Sequence, residues 1–538
     1  MEGHQLPQYH RNNLSPAKID KESLQTIFRE LQAAIRHGVD LLQNNVSLPD
    51  DPKEYGSIYS GTAGVALAFM RLHYQAKSLV MDDSDPPMPD FRTLARERVL
   101  QKGPPIRLDD KRFSPLGTRK FSAIYVRCLE KCFFNRRGAG VHLRANDIGD
   151  IAAVDMHASH DAIRFPRKFR DPDEPEPPGE EVLYGRAGLL WGLENLQAHP
   201  FDDENQYSLR SVFSHTQSLV DVIIQNGKIG AEDVWVKKHG EKGPLPLTWT
   251  RDDGRCNLGA IHGVCGTLTI LLQCKPWELE YDEEESHYPI IADTITELCK
   301  ICISNNGHLP TSLPVRPSNR ASPLVQICHG VPGLMLLLAT AKQFISEYEK
   351  PEWDEALRLG TDRVWEEGLL SKGGGVCHGH AGNAWPLLLL HVVYEYSNKN
   401  AGQHSKSEAE SSAERGGRVS RSASRKQNTT GDSYLAKALA MLLYARKTQP
   451  FSNSAEVRRN FRMPDRPYSL FEGLAGTVCA WADACAIIRM RLRKMELAEQ
   501  LGRSLTPEDL KTDEAFREHS QCFLGMVGFG GLGLTGGL

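Results

Sequence analysis

The sequence predicts an all-α protein, an α/α toroid of seven helical hairpins whose inner helices begin at Gly-x-x-Gly motifs. Three observations favour this fold: glycine motifs recur along the chain, apolar runs follow them, and strand-type alternation is scarce. Self-similarity at spacings of several tens of residues is typical of repeat architectures. The motifs are Gly61–Gly64, Gly185–Gly188, Gly263–Gly266, Gly330–Gly333, Gly379–Gly382 and Gly473–Gly476, with a degenerate seventh at Gly149 to Ala152.

The runs that follow the motifs predict buried inner helices. Val65 to Met70, Leu189 to Leu193 and Leu334 to Leu338 are apolar on all sides, as helices inside a large core are. Glycine before such a helix permits close backbone approach or a positive φ. The N-termini of the inner helices should therefore meet at one end of a central cavity.

Amphipathic stretches between these runs predict the outer helices. Between Ser23 and Leu42, apolar residues recur with a period near 3.6 and form one stripe. Ser211 to Ile224, Ile290 to Ile303 and Tyr434 to Tyr444 show the same pattern. Alternation of outer and inner helices favours a closed ring over an open stack.

The domain organisation follows from the spread of the repeats. Residues 1–20 read as a polar segment and residues 21–538 as a single toroid domain, although 538 residues alone would suggest several domains. Irregular insertions are expected at about 80–135 and 165–180. Residues 398–432, rich in Ser, Arg, Gly and Glu, cannot bury enough apolar surface to fold and should form a disordered insertion. The glycine-rich stretch from Gly525 to Gly537 should pack over the cavity mouth or stay mobile.

Composition excludes several functional classes. The net charge is −4 without a sustained basic face, which argues against nucleic acid as a partner. The first 13 residues carry no apolar core of a signal peptide, and no apolar run approaches a membrane span of about 18 residues. Twelve cysteines without a secretion signal indicate reduced thiols and a cytoplasmic protein. The basic stretch 111–137 is a solvated surface, with peripheral contact to phospholipid or phosphoprotein as the alternative.

Two Cys-His pairs precede apolar runs and predict a metal site. Cys328-His329 and Cys377-His378 both stand directly before a Gly-x-x-Gly motif. Two thiols and an imidazole suit zinc, and a catalytic zinc keeps its fourth position open. An isolated cysteine such as Cys265 is instead expected to be a small core residue. Cys299 and Cys302 lie within one amphipathic helix, which does not suit a redox pair.

The ordered motifs resemble the lanthionine synthetase C-like family, in its eukaryotic glutathione-binding branch. The resemblance spans most of residues 20–485. It rests on five blocks, Glu181 to Leu193, Asn257 to Gly266, Leu324 to Gly333, Gly375 to Ala384 and Asp465 to Thr477.

The resemblance implies both a metal site and a reaction. It assigns Cys328, Cys377 and His378 as zinc ligands and His262 as the acid–base group. The implied reaction adds a zinc-activated thiol, that of glutathione, to dehydroalanine or dehydrobutyrine in formerly phosphorylated proteins. A histidine transfers protons near pH 7 with little tuning.

Three cations are expected to bind substrate carboxylates. Lys372 and Arg462 match positions that resemble glutathione contacts in mammalian members of the family. Arg186 stands at a helix N-terminus, where a cation is unfavourable, so it should answer a nearby anion. That anion is either substrate or, in a structural role, Glu180 or Glu181.

Two other functional classes remain open at this stage. A non-catalytic zinc- and glutathione-binding adaptor or signalling protein would bind the same ligands but form no adduct. Another toroid enzyme is the second alternative. A glycosidase needs two carboxylates across the cavity, and only Glu472 is an obvious candidate. A prenyltransferase would show an Asp-Cys-His zinc set.

Overall fold

The structure is a computed structural model and describes most of the chain. The described residues are 6–49, 55–82, 84–100, 112–137, 140–157, 162–163, 179–251, 253–280, 286–397 and 431–529. Helices dominate these ranges, as the sequence predicts.

The first half of the described chain forms ten α-helices. They are α1 Lys21–Asn45, α2 Thr62–Gln75, α3 Phe91–Glu97, α4 Arg119–Phe134, α5 Ala145–His157, α6 Arg186–Gln197, α7 Asp203–Phe213, α8 Thr216–Ile229, α9 Trp235–His239 and α10 Val264–Leu271. A π-helical turn, Gly230–Val234, joins α8 to α9, and a 3-10 turn, Ala76–Leu79, follows α2.

The second half continues the alternation. Its helices are α11 Pro276–Leu279, α12 Tyr288–Ser304, α13 Val331–Phe344, α14 Pro351–Glu367, α15 His380–Tyr396, α16 Gly431–Ala445, α17 Ala455–Asn460, α18 Leu474–Leu501, α19 Pro507–Thr512 and α20 Glu514–Gln521. A 3-10 turn, Ser346–Tyr348, follows α13. Two short antiparallel pairs complete the described secondary structure, β1 Arg136–Arg137 with β2 Gly140–Val141 and β3 Cys256–Asn257 with β4 Ser312–Leu313.

Seven inner helices form a closed ring. In order around it they are α2, α4, α6, α10, α13, α15 and α18; each packs against the next, and α18 packs against α2. Outer helices cover them, with α1 on α18, α3 on α2, α5 on α4, α8 on α6, α12 and α14 on α13, and α16 on α15. The predicted all-α toroid is therefore confirmed.

The Gly-x-x-Gly motifs start six of the seven inner helices by close approach. In each, the first glycine caps the helix and the second lies in its first turn. A Cβ added to Gly382 would lie 1.7 Å from the carbonyl oxygen of Val376, and one added to Gly476 would lie 1.9 Å from that of Leu470. The loop before the helix thus folds directly onto the helix start. Of the twelve motif glycines, Gly330 alone has a positive φ, +127°.

The seventh inner helix is not where the degenerate motif suggested. Gly149 lies inside α5, an outer helix that packs on α4. The inner helix is α4, whose N-cap is Thr118 and whose first turn carries Phe121 where the other helices have glycine. The irregular insertion expected at about 80–135 is therefore wrong over α3 and α4. Residues 164–178 and 398–430 lie outside the described residues, and Gly431 and Asp432 already belong to α16.

The seven loops that lead into the inner helices are joined by main-chain hydrogen bonds in a closed circuit. We call this set the loop circuit. Its N–H to carbonyl links are Tyr59 to Leu116, Phe113 to Tyr184, Leu183 to Ile261, Ala260 to Ile327, Cys328 to Cys377, Val376 and Cys377 to Phe471, and Phe471 to Tyr59. All seven loops are therefore held at one face of the ring.

No helix among the described residues combines the length and apolar character needed to cross a membrane.

Candidate metal centre and active site

Two neighbouring loops of the circuit bring three metal-binding side chains together. Cys328 precedes α13, and Cys377 and His378 precede α15, the next helix in the ring. The Cys328 N–H donates to the Cys377 carbonyl at 3.2 Å. One ligand atom from each of Cys328, Cys377 and His378 lies within 4.8 Å of the others. The two thiols are buried and the imidazole is half-buried.

The environment of the two sulfurs favours a negative charge on Cys328 and a proton on Cys377. The Cys377 thiol donates to Cys328, and this hydrogen bond, with help from the charge of Lys372, lowers the pKa of Cys328 although burial opposes it. The same shared proton, together with burial, raises the pKa of Cys377 well above its usual value. Gln326 Nε2 also donates to Cys328 Sγ at 3.1 Å. A sulfur that accepts two donors is stabilised as a thiolate.

The donor set fits zinc. Thiolate and imidazole are ligands that zinc prefers, and a tetrahedral site places its ligand atoms about 3.5–4 Å apart. The three ligand atoms, all within 4.8 Å of one another, are close to that spacing. Binding would release the proton shared by the thiols, because thiolates are the ligating form. Cys328, Cys377 and His378 would hold the ion, with one position left for an incoming thiol.

His262 lies beside this cluster and is paired with a carboxylate. Its Nδ1 lies 3.1 Å from Glu181 Oε2, and the two side chains are 26% and 22% exposed. Burial alone lowers the pKa of His262, but the hydrogen bond and charge of Glu181 raise it overall. Glu181 therefore holds the proton on Nδ1 and favours the imidazolium. Sequence reasoning considered Glu181 only as a partner of Arg186.

Two further aromatic side chains border the thiols and were missed from the sequence. Tyr59 stacks on Phe471 with ring centroids 4.8 Å apart and planes 15° apart. Burial, the main cause, raises the pKa of Tyr59 well above its usual range, so its hydroxyl stays protonated. Phe471 accepts the Cys377 N–H on its carbonyl at 2.7 Å. Both residues therefore shape the cavity around Cys377.

The imidazole of His329, next to that of His262, is neutral. The His329 ring stacks against the His262 ring at 5.4 Å with planes 21° apart. Burial, then the charge of His262 and of nearby cations, lowers the pKa of His329 to about 4. His329 is thus a neutral neighbour of the acid–base pair.

Lys372 and Arg462 lie next to each other at the mouth of the site. Both side chains are exposed, and the Arg462 N–H donates to the Ser371 carbonyl at 2.8 Å. The charge of Lys372 acts on Cys328 and on Glu472, so Lys372 faces the cluster. Arg251 and Arg320 are two further cations, which the sequence analysis did not single out. Their charges lower the pKa of His329, so both face the same mouth.

Arg186 is not at the mouth, and its expected contact with substrate is wrong. Its side chain is 0% exposed, and Nη1 lies 2.6 Å from Glu180 Oε1. Nε donates to the Ala162 carbonyl at 2.6 Å, and Asn226 donates to the same Glu180 oxygen. Arg186 therefore has the structural role, because its buried guanidinium pairs with the Glu180 carboxylate inside the ring.

Replacing Arg186 with methionine should destabilise the fold. Glu180 would be left buried without its cation, which costs about 3–5 kcal/mol. Denaturant unfolding measures this loss against Arg210→Met, a change at an exposed arginine on α7. Adding Glu180→Leu to Arg186→Met should recover part of the loss. An Arg186→Met protein of normal stability but weakened glutathione binding would restore the substrate role.

His380 is buried and not close to the metal cluster's ligand atoms. Its Nε2 lies 3.1 Å from the Leu370 carbonyl. Burial lowers the pKa of His380 to about 3, whereas the unfolded chain titrates near pH 6.5. Between these values the unfolded state binds more protons, so stability falls as pH falls.

Lowering the pH from 7 to 5 should therefore cost about 2 kcal/mol of unfolding free energy through His380 alone. Urea unfolding at both pH values measures the loss. The His380→Gln variant should show a smaller drop between the two pH values. Equal drops in the variant and the parent protein would contradict this account.

Comparison with known proteins identifies the family of the chain. The model of the lanthionine synthetase C-like protein family matches residues 155–424, half of the chain. The protein named glutathione S-transferase LANCL1 from Danio rerio is 26% identical over 304 residues, covering 56% of this chain and 58% of that protein. LanC-like protein GCL1 from Arabidopsis thaliana is 28% identical over 313 residues, covering 56% of this chain and 54% of that protein.

The matches thus span less than two thirds of the length of these relatives. Among solved structures, nisin cyclase is similar at a TM-score of 0.38 and 14% identity, covering 78% of this chain and 98% of that one. The family model carries the assignment, since it covers both Cys-His pairs and His262. The chain belongs to the lanthionine synthetase C-like family.

Proposed function

We propose that this chain adds the thiol of glutathione to dehydroalanine or dehydrobutyrine residues in proteins, with zinc as cofactor, in the cytoplasm. The observation that carries the proposal is the meeting of Cys328, Cys377 and His378 with the His262–Glu181 pair at one face of the ring. A thiol site and a proton donor side by side are what addition of a thiol to an activated double bond requires.

The residues of the chain divide the reaction between them. Zinc bound by the three ligands would lower the pKa of an incoming thiol and supply it as thiolate at neutral pH. The thiolate attacks the β-carbon, a C–S bond forms, and the π electron pair moves toward the α-carbon and its carbonyl. His262 then donates a proton to the α-carbon, and the proton lost by the thiol restores the imidazolium.

The raised pKa of His262 suits this donor role. The Glu181 carboxylate accepts from Nδ1, so Nε2 is the nitrogen that carries the transferable proton. Because Glu181 raises the pKa of His262, the imidazolium is favoured and can supply a proton when the enolate forms. Glutathione carries two carboxylates, and Lys372 and Arg462, with Arg251 and Arg320 on the same mouth, would bind them.

A dehydroalanine peptide incubated with glutathione and the purified chain tests the proposal. Adduct formation, followed by mass spectrometry, should exceed the uncatalysed rate at least about 100-fold and should stop after treatment with a zinc chelator. Restored zinc should restore the rate. Binding of zinc and glutathione without adduct formation would favour the non-catalytic adaptor, and absence of both would remove the thiol chemistry.

A further inference from the structure

The segment that follows α20 lies inside the ring. Every residue from Cys522 to Phe529 is buried, and the segment is neither helix nor strand. The sequence suggested packing over the mouth or mobility for Gly525 onward, whereas Gly525 to Phe529 is enclosed by the inner helices. Residues 530–538 lie outside the described residues.

Polar side chains of α2 and α18 hold this segment by its main chain. Gln75 Nε2 donates to the Cys522 carbonyl at 2.8 Å, and Arg71 Nη2 donates to the Gly525 carbonyl at 2.6 Å. Asp483 Oδ1 accepts the Leu524 N–H at 3.2 Å. These three bonds go to peptide groups. The apolar side chains from Phe523 to Phe529 belong to the hydrophobic core, and the Cys522 thiol donates to the Tyr74 carbonyl.

The polar side chains form a buried set of their own, which we call the peptide clamp: Arg71, Gln75 and Asp483. Arg71 Nη2 lies 3.6 Å from Asp483 Oδ2, and both side chains are 0% exposed. Gln75 and Trp385 also donate to Asp483, at 2.7 and 2.8 Å. Charges this deep are costly unless they are paired and hydrogen-bonded. The bound segment supplies three of those hydrogen bonds.

The segment runs toward the loop circuit. Cys522 is held at Gln75, in the last turn of α2, and Gly525 is held at Arg71, one turn nearer the start of that helix. Gly528 has a φ of +84°, and a Cβ added there would lie 3.0 Å from Phe471 and 3.2 Å from Leu116. Phe471 stacks on Tyr59, so the segment ends against the loops of the circuit that lead into α4 and α18.

We propose that the interior of the ring is a binding channel for an extended apolar peptide, and that the chain fills it with its own residues 522–529. The peptide clamp forms hydrogen bonds with main-chain groups, which gives affinity without requiring a particular sequence. The ligand class is therefore a peptide with apolar side chains and glycine where the channel narrows at Phe471 and Leu116. This channel meets the thiol site at Phe471.

A tethered segment competes strongly with a free one, because its effective concentration is on the order of millimolar. A free peptide therefore binds well only where the chain's own segment is weakened. Gly528→Val in the full chain does this, since valine is strained at a φ of +84° and collides with Phe471. Gly502→Val is the matched control, because Gly502 has a φ of +61° but an added Cβ there would touch nothing within 4 Å.

The probe is a fluorescein-labelled peptide with the sequence of residues 522–529, acetylated and amidated. Fluorescence polarisation should show at least about tenfold tighter binding to Gly528→Val than to the parent chain or to Gly502→Val, in line with the competition above. The same peptide with valine at the position of Gly528 should bind none of them. Equal binding to all three proteins would overturn the proposal.

Hydrogen–deuterium exchange of the parent chain is an independent measurement. Residues 522–529 should be protected, and rapid exchange there would also overturn the proposal. If Gly528→Val fails to fold by circular dichroism, Arg71→Lys takes its place, since lysine keeps a charge beside Asp483 but loses the reach to Gly525. Release of the segment in that variant without peptide binding would count against a channel.

Discussion

A Cys377→Ala variant should be purified without zinc, whereas the parent chain should carry about one zinc per chain. The change removes one of three donors that lie within 4.8 Å of one another and also the proton shared with Cys328. Because loss of residues that merely support ligands lowers metal affinity or activity by about 10–100-fold, loss of a ligand should lower adduct formation by at least that factor. Elemental analysis and the adduct assay measure the two effects.

Cys302→Ala is the matched control for this variant. Cys302 is also a fully buried cysteine, but it lies within α12, where burial raises the pKa of its thiol to about 12. Its removal should leave both zinc content and adduct formation unchanged. Zinc retained in Cys377→Ala, or lost equally in Cys302→Ala, would show that the metal does not bind at the predicted cluster.

Replacing His262 with glutamine should lower the rate of thiol addition by about 10²–10⁴-fold while zinc content stays at the parent level. The imidazole is the group placed to protonate the α-carbon, and glutamine cannot donate a proton reversibly. The combination of retained metal and lost rate separates this role from ligation. His142→Gln is the control, because His142 pairs with Asp202 at 2.8 Å and is 28% exposed, much as His262 is.

Glu181→Gln tests the same pair through its pH dependence. Glu181 raises the pKa of His262 against the effect of burial, so its removal should lower that pKa. The imidazolium would then lose its proton at a lower pH, and the alkaline limb of the pH–rate profile should shift to lower pH. An unshifted profile in Glu181→Gln, or a normal rate in His262→Gln, would assign proton transfer to another group.

The glycine motifs predicted the ring because the start of each of these inner helices has no room for a side chain at the motif's second glycine. At Gly382 and Gly476 any larger side chain would collide with the carbonyl of the preceding loop, so the start of each helix is visible in the sequence. In α4, Phe121 stands where the other inner helices have the second glycine of the motif. The motif therefore did not mark the start of this helix. Periodicity could not replace it, because no repeat distinguishes the largely buried α4 from the outer α5.

The candidate site was partly predictable for a similar reason. Cys328 and Cys377 both precede glycine motifs, and consecutive inner helices are neighbours in a ring, so their meeting follows from the repeat. The roles of Glu180 and Glu181 do not follow from it. The two carboxylates are adjacent in sequence, yet one is buried against Arg186 and the other contacts His262. Only the backbone path of the loop decides which one faces the cavity.

The loop circuit has a consequence for how such a chain can change over evolutionary time. Its links fix a few residues in each of seven short loops and leave the length of chain between loops unconstrained. The longest stretches outside the described residues, 101–111, 164–178 and 398–430, all fall between successive linked residues and not within a link. Insertions can therefore accumulate in this protein while Cys328, Cys377 and His262 keep their mutual positions.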